Sequence, residues 1–292
     1  METHADPRIV HDRPGFMALA AGHYENFPVG SFLVPKKQRP HIHRIYAFAR
    51  TADDIADEHR DATALRDYRQ SFIAHLDGTA AKAVPLFGDL RATIHEFDLP
   101  RSLFLDLLDA FAQDLVVHRY ADGEQLFTYC RKSADPIGRL VLRVFGEATP
   151  ECDKLSDHIC TALQLLNHLQ DIKEDLLQRD RIYFPMLDLT QFGVSEEDLR
   201  TSSASQPVRA LVRHWTDRVA AMFRAGWPLT EQVGPRLRME LRGILCGAGR
   251  VLARIRAVDH DVLRFHIRLS RWQKLQVLGA AVVGTSMPGD FR

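Results

Sequence analysis

Four aspartates in two D-x-x-x-D pairs carry the clearest chemistry in this sequence: Asp53 with Asp57, and Asp171 with Asp175. On a helix, a step of four residues puts both carboxylates of a pair on one face, about 6 Å apart along the axis. Unpaired carboxylates that close repel each other, and burying them is costly. A hard divalent cation removes both penalties. Carboxylate oxygens suit magnesium, which keeps several waters and shares itself with substrate phosphates. Two facing pairs could hold a small magnesium cluster with a diphosphate between them. The metal would draw negative charge off the leaving diphosphate, so that a carbon–oxygen bond ionises to a carbocation.

Each pair ends a longer polar row. Tyr46, Arg50, Asp53 and Asp57 share one helix face, and so do Gln164, Asn167, Asp171 and Asp175. The other faces of the first helix carry Ile45, Phe48, Ala49, Ala52, Ile55 and Ala56; those of the second carry Ile159, Leu163, Leu165, Leu166, Leu169 and Ile172. A helix apolar on most sides is expected to be buried, so each row should face a cavity rather than bulk water. An acidic run alone is more often a solvated helix face. A second run of the same design, with Arg50, Gln164 and Asn167 aligned in the rows, weighs against that reading.

The elements that position these rows read as helices throughout. Apolar residues recur at three- and four-residue spacing, strand signals are scarce, and no repeat or low-complexity tract is present. The spacing predicts helices over 39–60, 61–76, 84–97, 101–118, 123–145, 150–178, 207–226, 235–257, 262–268 and 271–283, with a short one near 16–24. Pro136 and Gly138 should kink the fifth. A loop is expected over 179–186, and the polar stretch Thr201–Pro207 reads as a surface loop rather than a domain linker. One all-α domain over residues 1–292 is the simplest account, with 1–14 irregular.

Bulk properties narrow the partners. The 292 residues carry no net formal charge and are 46% apolar. A sizeable core is available, and no basic field recommends nucleic acid. Cys130, Cys152, Cys160 and Cys246 form no C-x-x-C pair, and Cys160 in an apolar run suits a buried reduced thiol. The start lacks an apolar signal segment, and the longest apolar run near the end, Leu275–Val283, is far too short to span a membrane. A cytoplasmic location is expected, with a hydrocarbon substrate drawing the protein to the inner membrane surface.

At the acidic rows the sequence resembles the squalene/phytoene synthase family. Tyr46, Arg50, Asp53 and Asp57 match the family's first signature; Gln164, Asn167, Asp171, Glu174 and Asp175 match the second. Arg181-Ile-Tyr-Phe-Pro185 looks like its R-I-Y-x-P stretch, and His23 and Phe27 match early substrate positions. The resemblance implies an all-helical isoprenoid-synthase bundle with a central cavity. It further implies Asp53, Asp57, Asp171 and Asp175 as magnesium ligands assisted by Asn167, with Arg50 and Arg181 on diphosphate oxygens. His23, Phe27, Tyr46 and Gln164 would line the substrate site, the aromatic rings near the cation.

Glu25-Asn-Phe-Pro-Val29 looks like the opening of the hydroxysqualene synthase branch of bacterial hopanoid synthesis, and Arg268-Leu-Ser is a weaker match. Tyr129-Cys-Arg-Lys-Ser-Ala-Asp-Pro-Ile-Gly138 departs from the V-A-G-x-V-G run usual in squalene and phytoene synthases. That branch implies presqualene diphosphate as substrate, water as the quencher, hydroxysqualene as product and no NADPH. Other hopanoid-pathway enzymes would be its partners. Two alternatives stay open: head-to-head condensation starting from farnesyl diphosphate or a similar prenyl diphosphate, and a non-enzymatic assembly factor on the same fold. The intact aspartates speak against the second. His41 and His43 read as surface histidines. The arginines at 236, 238, 242, 250, 254 and 256 read as a solvated helix face, with contact to anionic lipid or diphosphate as the lesser alternative, and Arg264 and Arg268 could close over the site.

Overall fold

The computed structural model describes residues 34–268 and 286–291. His23, Phe27, the Glu25–Val29 stretch and the helices expected over 16–24 and 271–283 lie outside these residues. Among the described residues are twelve α-helices and one 3-10 turn, with no strand. They are α1 (Arg39–Asp57), α2 (Ala62–Asp77), α3 (Pro85–Glu96), α4 (Arg101–Asp114), α5 (Gly123–Ser133), α6 (Asp135–Val144), α7 (Pro150–Arg179), α8 (Met186–Phe192), α9 (Glu196–Arg200), α10 (Gln206–Gly226), α11 (Leu229–Gln232) and α12 (Pro235–Ala257).

Local chemistry sets the ends of the functional helices. Pro40 occupies the first turn of α1, where the missing N–H costs nothing. Thr149 caps α7 by accepting from Cys152 N at 3.0 Å. The far end of α7 stops at Asp180, whose φ of 52° turns the chain back on itself. That left-handed turn directs Arg181 toward the acidic face of the helix it has just left.

The core falls into two clusters. In the first, Phe48 of α1 packs on Phe72, Phe87 and Phe104 with ring centroids 4.6–6.5 Å apart. The second surrounds α7 and includes Trp215 and Phe223 of α10 and Phe291 of the 3-10 turn. Helix α6 joins them: Leu140 and Val144 enter the first cluster and Leu142 the second. Two paired arginines fasten it to α7, Arg139 on Asp157 at 2.8 and 2.6 Å and Arg143 on Asp153 at 3.0 and 2.8 Å. One acidic row thus belongs to each core, and the candidate site lies along their seam.

Several expectations need correction. Helix α1 ends at Asp57 rather than residue 60, and α4 at Asp114 rather than 118. The 123–145 helix is two helices meeting at Ala134. Pro136 starts the second, and Gly138 lies inside it against Ser156 and Cys160 of α7. Residues 262–268 are turn and coil, after a reversal of the chain at Asp259 (φ 51°) and His260 (φ 61°). Short helices α8, α9 and α11 were not expected. His41 is buried, against Thr93 Oγ1 at 3.0 Å and the Phe97 ring. Of the α12 arginines, only Arg236 and Arg254 are exposed; Arg238 donates to the Val233 carbonyl and Arg256 pairs with Asp217.

Candidate active site

The first acidic row lies along α1 with Tyr46, Arg50, Asp53 and Asp57 all half-buried, while Ile45, Phe48, Ala49, Ala52 and Ala56 fill the core behind it. Arg50 turns onto its own helix. Its guanidinium reaches Asp53 at 2.9 Å and Glu58 at 3.3 Å, and also pairs with Asp54. The second row runs along α7, with Gln164, Asn167 and Asp171 half-buried and Asp175 buried.

Arginines from the end of α7 join the rows. Arg179 lies 3.5 Å from Asp57 and 3.2 Å from Asp175. Arg181 donates to Asp57 Oδ1 at 3.2 Å, to the Asp114 carbonyl at 3.0 Å and to the Tyr183 hydroxyl at 2.8 Å. Asp57 and Asp175, 118 positions apart in the sequence (175 − 57), therefore share one guanidinium.

Like charge and burial act on these carboxylates as the spacing predicts. Burial, then the Asp171 charge, pushes Asp175 up to about 7. Asp53 is raised by burial and then by Asp57, and Asp171 by burial and then by Glu174. The donor set is hard oxygen from two helices whose ends Arg179 links, the chemistry a magnesium ion selects. Among the described residues no three His, Cys, Asp or Glu side chains stand close enough together to hold a metal ion by themselves. An open arrangement of carboxylates fits a cation that keeps waters and completes its shell on a phosphate.

Beneath Arg181 lies a polar layer that sequence reasoning missed. Tyr129 donates its hydroxyl to Asp114 Oδ2 at 2.8 Å, and Asp114 is 6% exposed. Burial lifts the Asp114 carboxyl to about 7 against the pull of Arg181. His168 stacks on Tyr183 with centroids 3.5 Å apart, and burial, then the Arg181 charge, lowers it to about 3, so the ring is neutral. One signal was present: Asp114 continues the buried stripe of Leu107 and Ala110 at helical spacing, an unusual place for a carboxylate. Arg119 holds the approach to this layer in register. It bonds Glu196 through two nitrogens at 2.8 Å each and Asp180 Oδ1 at 2.8 Å, and Ile182 N donates to the His118 carbonyl at 2.9 Å.

The 129–138 segment divides between faces. Arg131 is exposed, on Glu124 and Thr128, and Lys132 reaches Asp109 at 3.3 Å. Tyr129 alone of these three points to the Arg181 layer. A groove of about 320 Å³ lies beside α7, between Lys173, Glu174 and Leu177 and residues Val262, Arg264 and His266. Arg268 approaches Glu174 to 4.0 Å there. No helix among the described residues is long and apolar enough to cross a membrane.

The family description squalene/phytoene synthase matches residues 20–273. A hydroxysqualene synthase of Rhodopseudomonas palustris is 35% identical over 246 residues, 84% of either chain. A phytoene synthase of Mycobacterium bovis is 30% identical over 273 residues, 89% of this chain and 87% of its own. The crystal structure of squalene synthase HpnC from Alicyclobacillus acidocaldarius superposes with a TM-score of 0.77 at 42% identity, over 84% of this chain and 93% of that one. With two acidic rows on an all-helical scaffold and a match across most of its length, the chain belongs to the squalene/phytoene synthase family.

Proposed function

We propose that this protein, acting through a single domain, converts presqualene diphosphate and water to hydroxysqualene and diphosphate. The observation that carries the reading is the pairing of the two acidic rows across Arg179, with Arg181 on Asp57 beside it, taken with the kinship to a hydroxysqualene synthase. Asp53, Asp57, Asp171 and Asp175, assisted by Asn167, would hold magnesium, which when bound neutralises the diphosphate and favours its departure. Arg50 and Arg181 would turn donors to the diphosphate oxygens, Arg181 from a fixed position and Arg50 by releasing Asp53. The carbon–oxygen bond breaks with its electron pair on diphosphate. Tyr46, half-buried on the same face as the aspartates, presents a π face to the rearranging cation. His23, Phe27 and Gln164 are proposed to line the hydrocarbon path. Water oxygen then bonds to the cation and its proton leaves to solvent or to the departing diphosphate. No nicotinamide takes part in this balance.

Head-to-head condensation of two prenyl diphosphates is the second reading, favoured by the phytoene synthase at 30% identity. The two are separated by incubating the purified protein with magnesium and presqualene diphosphate, without NADPH, beside a tube holding only farnesyl diphosphate. Mass spectrometry should find hydroxysqualene in the first and no coupled hydrocarbon in the second. A coupled product from farnesyl diphosphate would overturn the hydroxysqualene assignment.

A further inference from the structure

The two arginines that close α7 are held in different ways. Arg181 is 6% exposed, and its guanidinium is engaged by the Tyr183 hydroxyl, the Asp57 carboxylate and the Asp114 carbonyl. Its chain neighbour Ile182 is tied by a backbone hydrogen bond to His118. It is built into the wall. Arg179 has about a third of its side chain exposed, 32%, and its ion pairs are with Asp57 and Asp175. It sits in the last turn of α7, where a positive charge is favoured by the helix dipole whether or not the carboxylates are present.

Asp57 ends α1 and Asp175 lies on α7, so this one partly exposed side chain spans the acidic rows. Its Nη1 donates to Asp175 Oδ1, and its Nε lies 3.5 Å from Asp57 Oδ2. A divalent cation on either carboxylate competes with Arg179 for its lone pairs and repels the guanidinium. We infer that Arg179 is an exchangeable counter-ion: without metal it ties Asp57 to Asp175, and on metal entry it gives up both carboxylates and swings toward solvent, where it can meet diphosphate oxygens. This rests on the reading of the aspartates as magnesium ligands. By reciprocity, whatever Arg179 contributes to the metal-free protein is subtracted from metal binding. The exchange keeps the acidic rows neutralised in both states.

The test uses the full chain as wild type, Arg179→Gln and Arg179→Lys. Manganese(II), standing in for magnesium, is titrated into metal-free protein without substrate, and its uptake is read as loss of the free-ion electron paramagnetic resonance signal. Thermal unfolding is followed in parallel in chelator. Arg179→Gln should melt about 2 °C lower without metal and bind manganese about three-fold more tightly. Arg179→Lys keeps the charge without the planar fork and should fall between the two in both measurements. Equal or weaker manganese binding by Arg179→Gln, beside a wild type that binds, overturns the exchange and leaves the metal reading standing. A wild type that takes up no manganese, with or without inorganic diphosphate, overturns both.

Discussion

Replacing Asp171 with Asn removes a formal charge and almost no volume. Asp171→Asn and Asp53→Asn should each lower turnover of the prenyl diphosphate about a hundred-fold or more, measured as product formed under saturating magnesium. Neither should lower the melting temperature in metal-free buffer, because each removal relieves crowding: Asp171 raises Asp175, and Asp57 raises Asp53. Arg181→Gln should behave in the opposite way and cost about 3 kcal/mol in denaturant unfolding, since it leaves buried Asp114 and half-buried Asp57 short of their counter-charge. The aspartates were legible because their spacing alone puts them on one face. Arg179 was not singled out, because which carboxylates a terminal arginine meets depends on how the ends of two helices far apart in sequence come together. His41 misled for the same reason: its polarity suggests the surface, while Thr93 and Phe97 supply a buried niche only once α3 is in place.

Helix α7 carries half the acidic site, and its position depends on how closely α10 can approach. A Cβ added at Gly226 would stand 2.5 Å from Ile159 Cγ1 and 2.9 Å from the Leu155 carbonyl oxygen. The carbonyl belongs to helix backbone and cannot move aside, so Gly226→Ala should destabilise the protein by about 2 kcal/mol, read from the denaturant midpoint at unchanged slope. Element existence and type were largely legible here, because long apolar periodicity survives tertiary packing. The break at Ala134 was not, since the apolar pattern of α5 runs on into α6 in phase; Pro136 marks the start of a new helix rather than a kink in an old one. The expected helix over 262–268 stops after one turn, although Asp261 makes the bonds of a helix start, its carbonyl accepting from Phe265 N at 3.2 Å. The Asp261 carboxylate accepts from Ala204 N at 2.7 Å and Arg264 N at 3.2 Å.

Across the whole molecule, the same Asp261 latches the turn after α12 to the loop before α10. It also accepts from Ser203 Oγ at 2.7 Å and Arg209 at 2.9 Å, and it is 1% exposed though shallowly placed. Burial works against its charge, but the donors from Ala204, Ser203, Arg264 and Arg209 outweigh it and hold the carboxyl below the ordinary range. A carboxyl depressed by folding lends stability above its unfolded pKa and withdraws it as pH falls through the folded value. Asp261→Asn should therefore cost about 2 kcal/mol at neutral pH, with the gap to wild type closing below about pH 4, as followed by urea unfolding across pH. The joining of two cores through α6 was not legible, because no boundary in composition separates them. Trp215 stands at the far side of this seam, fully buried, with the Arg218 guanidinium 4.6 Å from its ring centroid and the Phe184 ring 5.5 Å away. Phe184 lies three residues beyond Arg181 on the strap that Arg119 holds in place. An indole so enclosed is an optical gauge of that strap: engagement of Arg181 by magnesium and inorganic diphosphate should change its emission, in a signal that Trp215→Phe abolishes.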